Sequence, residues 1–177
     1  QMIQQGFETN HVDFKIEFNW DTFEEYKKAK VAKHMAAMSN IPGGGILVFG
    51  VADSKEVVGL SRDDVLSMDR TRVDQTLARY LDPIPLYKVI NTKYQDKDLL
   101  IFEVTEFVHV PVICKQDHDR ILRAGGVYVR QNASSQIIQD AGAMRDLINL
   151  AVDKKKQELL TSIGHILGKP VDDEWKL

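Results

Sequence analysis

The sequence has one cysteine, Cys114, in 177 residues. A lone cysteine excludes an internal disulfide framework and any multi-cysteine zinc site, and it fits a reducing compartment. No run approaches the ~18 uninterrupted apolar residues of a membrane span. The first residues lack the apolar stretch of a secretory signal. There is no internal repeat and no low-complexity linker. Charge of one sign is also missing. The 23 basic and 26 acidic side chains leave a net charge of -3, so a uniformly basic nucleic-acid coat protein is excluded. A local basic groove is not, because binding follows where charge sits. What remains is ordinary globular composition, 44% apolar and 28% charged, on a chain long enough to bury a real core. The expectation is a cytoplasmic protein with no membrane partner.

Residues 12–18, Val-Asp-Phe-Lys-Ile-Glu-Phe, alternate apolar and charged side chains, which predicts a half-buried strand. Thr22-Phe23-Glu24-Glu25 reads as a capping box opening a helix. Val31, Met35 and Met38 supply that helix's buried stripe, and Asn40-Ile41-Pro42-Gly43-Gly44-Gly45 stops it. Ile46 to Ala52 is continuously apolar, as in a central strand. Residues 62–81 read as a helix. Tyr87 to Tyr94 and Leu99 to Phe107 read as strands around a polar turn, Gln95-Asp96-Lys97-Asp98. A further strand pair is expected to flank residues 116–119 and to end in Gly125-Gly126-Val127-Tyr128-Val129-Arg130, and a long helix is expected from Asp140 toward Gly164. Strands and helices mix without regular alternation. The class is therefore α+β, with a mixed, largely antiparallel sheet flanked by helices. Residues 1–152 are expected to form the domain, and 153–177 a C-terminal helical extension.

Few constellations carry chemistry by themselves. Gly43-Gly44-Gly45 lies between a helix and a strand, the reverse of a phosphate loop, and no Gly-Lys-Ser/Thr follows. His109, Cys114 and His118 match no standard zinc spacing. Asp13-Phe14-Lys15 puts a carboxylate and an ammonium on one face of a strand. Metal-dependent nucleases use that pairing, but an acid two residues before a lysine occurs five times in this chain. Basic side chains cluster twice: Lys27, Lys28, Lys30 and Lys33 on the first helix, and Arg120, Arg123 and Arg130 later. Such clusters can hold phosphates, or they can be solvated faces.

Taken in order, three segments resemble the Schlafen/AlbA-like domain family. Glu8-Thr9-Asn10-His11-Val12-Asp13-Phe14-Lys15 stands where the family has Glu-Ser-x-x-(Leu/Val)-Glu-Phe-Lys. Ala37-Met38-Ser39-Asn40-Ile41-Pro42-Gly43-Gly44-Gly45, leading to Gly50-Val51-Ala52-Asp53, is similar to its Ala-Phe-Ala-Asn-Thr-x-Gly-Gly and Gly-Val-x-Asp. Tyr128-Val129-Arg130-Gln131-Asn132-Ala133-Ser134-Ser135 resembles its Tyr-(Ile/Val)-Arg-x-Gly-Ser-Ser. The likeness covers roughly residues 8–150.

This resemblance implies a single Schlafen/AlbA-like lobe and a metal-dependent endonuclease acting on nucleic acid, with tRNA-like RNA preferred and DNA possible. Carried over by motif, Glu8, Asp13 and Asp53 would be the catalytic acids and would hold Mg²⁺ or Mn²⁺. Lys15 would assist by neutralising charge on the phosphate. Lys30, Lys33, Arg123 and Arg130 are the candidates for backbone contacts. A homodimer would rebuild the two-lobed cradle of the vertebrate members. The sequence departs from the family at one of the acids, since Asp13 replaces a glutamate. That change favours the alternative, a non-catalytic DNA- or RNA-binding module of a larger assembly.

Overall fold

The computed structural model describes residues 10–168. Its main sheet has four strands in the order β1-β2-β5-β4. Strand β1 (Val12–Lys15) runs parallel to β2 (Gly45–Phe49), and helix α1 (Glu25–Ser39) connects them. Strand β2 is antiparallel to β5 (Lys97–Val104), which forms a hairpin with β4 (Tyr87–Tyr94). The hairpin turn needs two residues at positive φ, and Gln95 and Asp96 supply them. Two short helices, α2 (Arg62–Leu66) and α3 (Arg70–Tyr80), lie between β2 and the hairpin. Strand β3 (Leu81–Asp82) pairs with β6 (Ile113–Cys114), and β7 (Tyr128–Gln131) with β8 (Ser134–Ile137). Helix α4 (Ala141–Leu167) closes the described chain. The α+β class with an open, largely antiparallel sheet is what the residue pattern predicts.

Side chains alternate across the sheet, and the two faces carry cores of different size. Leu47, Phe49, Leu100 and Phe102 face α1 and α3, and pack there with Phe18, Trp20, Met35, Met38 and Leu77. Phe18 sits at the centre, its ring 5.0 Å from Phe49 and 5.7 Å from Phe102. The opposite face holds a smaller cluster of Val12, Phe14, Val48, Val51, Val57 and Leu99.

The local expectations hold unevenly. The predicted strand 12–18 ends at Lys15, because Phe18 leaves the alternation to enter the main core. The Thr22 capping box does not form. Asn19 Oδ1 accepts from the Thr22 N–H, Glu25 turns to Arg79, and the N-cap position is Glu24 with no side-chain bond. A true capping box forms instead at Ser61 and Asp64. The helix expected over 62–81 is two helices, the second capped by Asp69, which accepts from the N–H groups of Thr71 and Arg72. Flanking 116–119, the pairing is short: Ile113 bridges Val127, Cys114 exchanges backbone hydrogen bonds with Gly125 and Gly126, and His118 bridges Leu122. The ladders of β6 and β7 form with β3 and β8.

Gly44 has φ +69°, and a Cβ there would run into the Val104 carbonyl oxygen and approach the Glu106 amide to 2.8 Å. The glycine turn is thus a close backbone crossing that delivers the chain into β2. The neighbouring Gly43 N–H donates to the Glu106 carboxylate at 2.8 Å.

Candidate nucleic-acid interface

Strand β1 directs Asp13 and Lys15 to the α1 side of the sheet, two residues apart on one face. Asp13 is buried, and three basic side chains close around it. Lys15 Nζ lies 2.7 Å from Oδ2, out of line for a hydrogen bond, so the contact is an ion pair. His34 Nδ1, from α1, is 3.3 Å from the same oxygen. Arg130 Nη1, from β7, is 3.5 Å from Oδ1.

Arg130 is itself fixed on all sides, with no side-chain exposure. Its Nη2 donates to the Val12 carbonyl at 3.1 Å and its Nη1 to Ser135 Oγ at 3.4 Å. Ser135 Oγ is also 2.9 Å from His34 Nδ1. Burial first, and then the charges of Lys15 and Arg130, hold the His34 pKa well below that of an ordinary histidine. His34 is therefore neutral at neutral pH, and Asp13 is balanced by Lys15 and Arg130. This knot joins β1, α1, β7 and β8.

A second buried polar tie lies at the end of α1. Asn40 Nδ2 donates to the carbonyls of Val112 and Tyr128 at 2.8 and 2.9 Å, and Oδ1 accepts from the Val112 N–H at 2.8 Å. One amide satisfies groups on two distant segments, which is how a buried polar residue specifies a unique packing.

Outside the knot, a cavity of about 550 Å³ opens between the first turns of α1, the end of β1 and the 120–121 loop. Lys15, Lys27, Lys30, Lys33 and Arg120 line it, with Glu17 and Asp53 as its acids. Asp53 arrives because the chain after β2 folds over the end of β1, where the Gly50 and Val51 amides both donate to the Lys15 carbonyl. Lys27 is neutralised by Glu17 at 2.6 Å. Lys30, Lys33 and Arg120 form no ion pair among the described residues. Lys30 lies over the Tyr26 ring and Lys33 over the Tyr128 ring. Partial burial, and then the charge of Lys30, push the Lys33 pKa down, as expected for cations crowded without a counter-charge. A smaller hollow of about 320 Å³ continues past Lys33 and Arg120 to Arg123.

The sequence-derived candidates thus separate. Lys15, Lys30, Lys33 and Asp53 meet in one cleft, and Arg123 lies in the adjoining hollow. Asp13 lies behind the cleft in the knot. Arg130 is a buried partner of Asp13 and does not reach the surface. Glu8 lies outside the described residues. Tyr26 lines the cleft without having been a candidate, and so does Arg120, which the sequence showed in a basic cluster but which was not among the backbone contacts chosen. Their signal was weak, one arginine beside two aspartates and one tyrosine in a lysine-rich helix. His109, Cys114 and His118 do not converge: His109 meets Glu158, His118 meets Tyr80, and Cys114 donates to the Gln116 carbonyl.

Among the described residues, no three His, Cys, Asp or Glu side chains could hold a metal together. Both Asp13 oxygens face cations, which a metal would have to displace. Glu8, the third acid that the family motif would supply, lies outside the described residues.

The model of the Schlafen, AlbA_2 family matches residues 8–139. The chain belongs to this family. Membership of the Schlafen, AlbA_2 family points to a nucleic-acid-related function. Among solved structures, the chain is similar to the DIP2311 protein of Corynebacterium diphtheriae, at 20% identity and a TM-score of 0.54. The match covers 77% of this chain and 23% of that one, and it shows the fold. The N-terminal domain of a RecG-related protein from Nitrosomonas europaea matches at 20% identity and a TM-score of 0.43, over 79% of this chain and 93% of that one. No curated protein matches the chain. No helix among the described residues is long and apolar enough to cross a membrane.

Proposed function

We propose that this Schlafen, AlbA_2 domain is a nucleic-acid-binding module that holds a phosphodiester backbone in the cleft between α1 and the 120–121 loop. The observation that carries this reading is the convergence of Lys30, Lys33 and Arg120, without ion pairs among the described residues, in one cavity. A concave site with an excess of positive charge focuses its field and attracts phosphate although the net charge is -3. Asp13, one of the acids the motifs assign to catalysis, is buried behind the cleft and faces both Lys15 and Arg130, which supports binding over catalysis. The binding reading therefore takes precedence over the metal-dependent endonuclease that the sequence motifs suggest.

The test is binding of labelled RNA and DNA strands as a function of salt, for the native chain and for a Lys30→Ala/Lys33→Ala double variant. The expected result is salt-sensitive binding whose log–log slope falls by roughly 1.4–1.8 in the double variant, about 0.7–0.9 per phosphate contact. Equal binding and equal slope in both proteins would overturn the assignment of the cleft. Strand scission that requires Mn²⁺ and is lost in Asp53→Asn would instead establish the endonuclease.

A further inference from the structure

Cations form only the rim of the cleft; much of its wall is apolar. Ile16, Phe23, Tyr26, Val31, Phe49 and Ile121 contribute to the same cavity. Phe23, Val31 and Phe49 belong to the core and merely close the floor. Ile16 and Tyr26 are different. Ile16 follows the end of β1 and is 53% exposed, and Tyr26 is 36% exposed although Lys30 already lies 5.3 Å from its ring centroid. Neither is packed into the core, yet Tyr26 lies under Lys30, and Ile16 lines the same cavity as Lys30 and Lys33.

A ligand that matches this cleft must be anionic on one side and flat and apolar on another. Double-stranded nucleic acid does not match, because it presents phosphates and sugars outward and keeps its base faces stacked inside. It would engage the rim and leave the apolar wall in water. An unpaired nucleotide matches both parts, its phosphate on the lysines and its base on the wall. The cavity, about 550 Å³, is within the size range of sites that take one small organic group, about 300–1,000 Å³. Stacking on an aromatic ring is indifferent to base identity, since every base has a π face.

We infer that the cleft selects unpaired nucleotides, seating a base against Tyr26 and Ile16 while Lys30 and Lys33 hold the adjoining phosphate. The ligand class is single-stranded nucleic acid, or the unpaired loop of a folded one. This rests on the reading of the cleft as a nucleic-acid site.

The experiment is fluorescence anisotropy with the full chain and four probes at one salt concentration. These are a 12-nucleotide RNA, the same sequence in DNA, that DNA annealed to its complement, and a DNA strand of the same length with abasic sites throughout. The variants are Tyr26→Ala, Tyr26→Phe, Ile16→Ser and Lys30→Ala, all at exposed positions where the fold is not at stake. The native chain is expected to bind single strands at least about tenfold more tightly than the duplex. Tyr26→Ala should weaken single-strand binding about 5- to 150-fold, the range for losing one stacked base. Tyr26→Phe should retain it, Ile16→Ser should weaken it less, and binding of the abasic strand should not change with Tyr26→Ala. Lys30→Ala should weaken all four probes and lower the salt slope.

Equal affinity for duplex and single strand, with Tyr26→Ala affecting neither, overturns the inference and leaves the phosphate-binding reading standing. Absence of salt-sensitive binding to every probe overturns both. A single-strand preference confined to RNA, or to DNA, supports the inference and adds recognition of the sugar.

Discussion

Asp13 and Asp53 occupy matching positions in the family's motifs, yet their surroundings are opposite. Asp13 is buried on β1 and enclosed by Lys15, His34 and Arg130. Asp53 is exposed, in the turn after β2, and lines a cleft that carries an excess of positive charge. The same side chain is buried among cations in one place and lines an open cleft in the other. A carboxylate's role is set by how much water it keeps and which cations it meets.

The largest expected effect of breaking this contrast is at Asp13. Replacing it with Ala removes the carboxylate that faces the buried Arg130 guanidinium. Removing one partner of a buried pair costs about 3–5 kcal/mol, a large fraction of the roughly 5–15 kcal/mol that holds a domain together. Urea unfolding should show the loss, and a midpoint shift equivalent to under 1 kcal/mol would refute the structural role of Asp13. Asp13→Leu combined with Arg130→Met should be milder than Asp13→Ala alone, since both members of the buried pair are removed together.

Next in size is Asn40→Ala, which strands the Val112 amide and the Val112 and Tyr128 carbonyls. Each buried group left without a partner costs about 1–3 kcal/mol. A total of several kcal/mol is expected by thermal unfolding, and an unchanged Tm would count against the tie.

His34 gives a pH dependence of intermediate size. Its folded pKa lies below the ordinary value of about 6.5, so below that pH the unfolded chain binds the proton more readily. The stability it contributes is present above about pH 6.5 and is lost as pH falls. Denaturant midpoints measured from pH 7 to pH 5 should decline, and His34→Gln should flatten that decline. An identical slope in the variant would show that His34 is not the group responsible.

Asp53→Asn should have the smallest effect on stability, within about 0.5 kcal/mol for an exposed side chain. It removes a negative charge from a cationic cleft, so nucleic-acid affinity should rise slightly. A large loss of stability would erase the contrast with Asp13, and a large loss of affinity would make Asp53 a direct contact.

The elements that read clearly in the sequence are those with a local cause. The hairpin β4–β5 follows from two alternating runs around a polar turn, and β2 from an apolar run bounded by glycines. The Thr22 capping box misled because Asn19 and Arg79, distant in one case by 54 residues, offered its groups better partners. The split of residues 62–81 was written in Asp69, a capping residue inside an apolar periodicity. In the candidate site, the lysines of α1 were legible as a cluster, but not which of them stay without an ion pair. Lys27 is neutralised by Glu17 and Lys30 is not, and only the fold settles that.

By itself, the sequence determined the α+β class, the absence of a disulfide framework, the family, and the strand that sets Asp13 beside Lys15. Those follow from composition, periodicity and motif order, which act along the chain. Tertiary structure decided that Arg130 is buried against Asp13, that Asn40 ties two remote segments, and that Tyr26 and Arg120 share a cleft with Lys30 and Lys33. These depend on contacts between residues up to more than 100 positions apart. Burial and charge balance are properties of such contacts, so no local pattern can encode them.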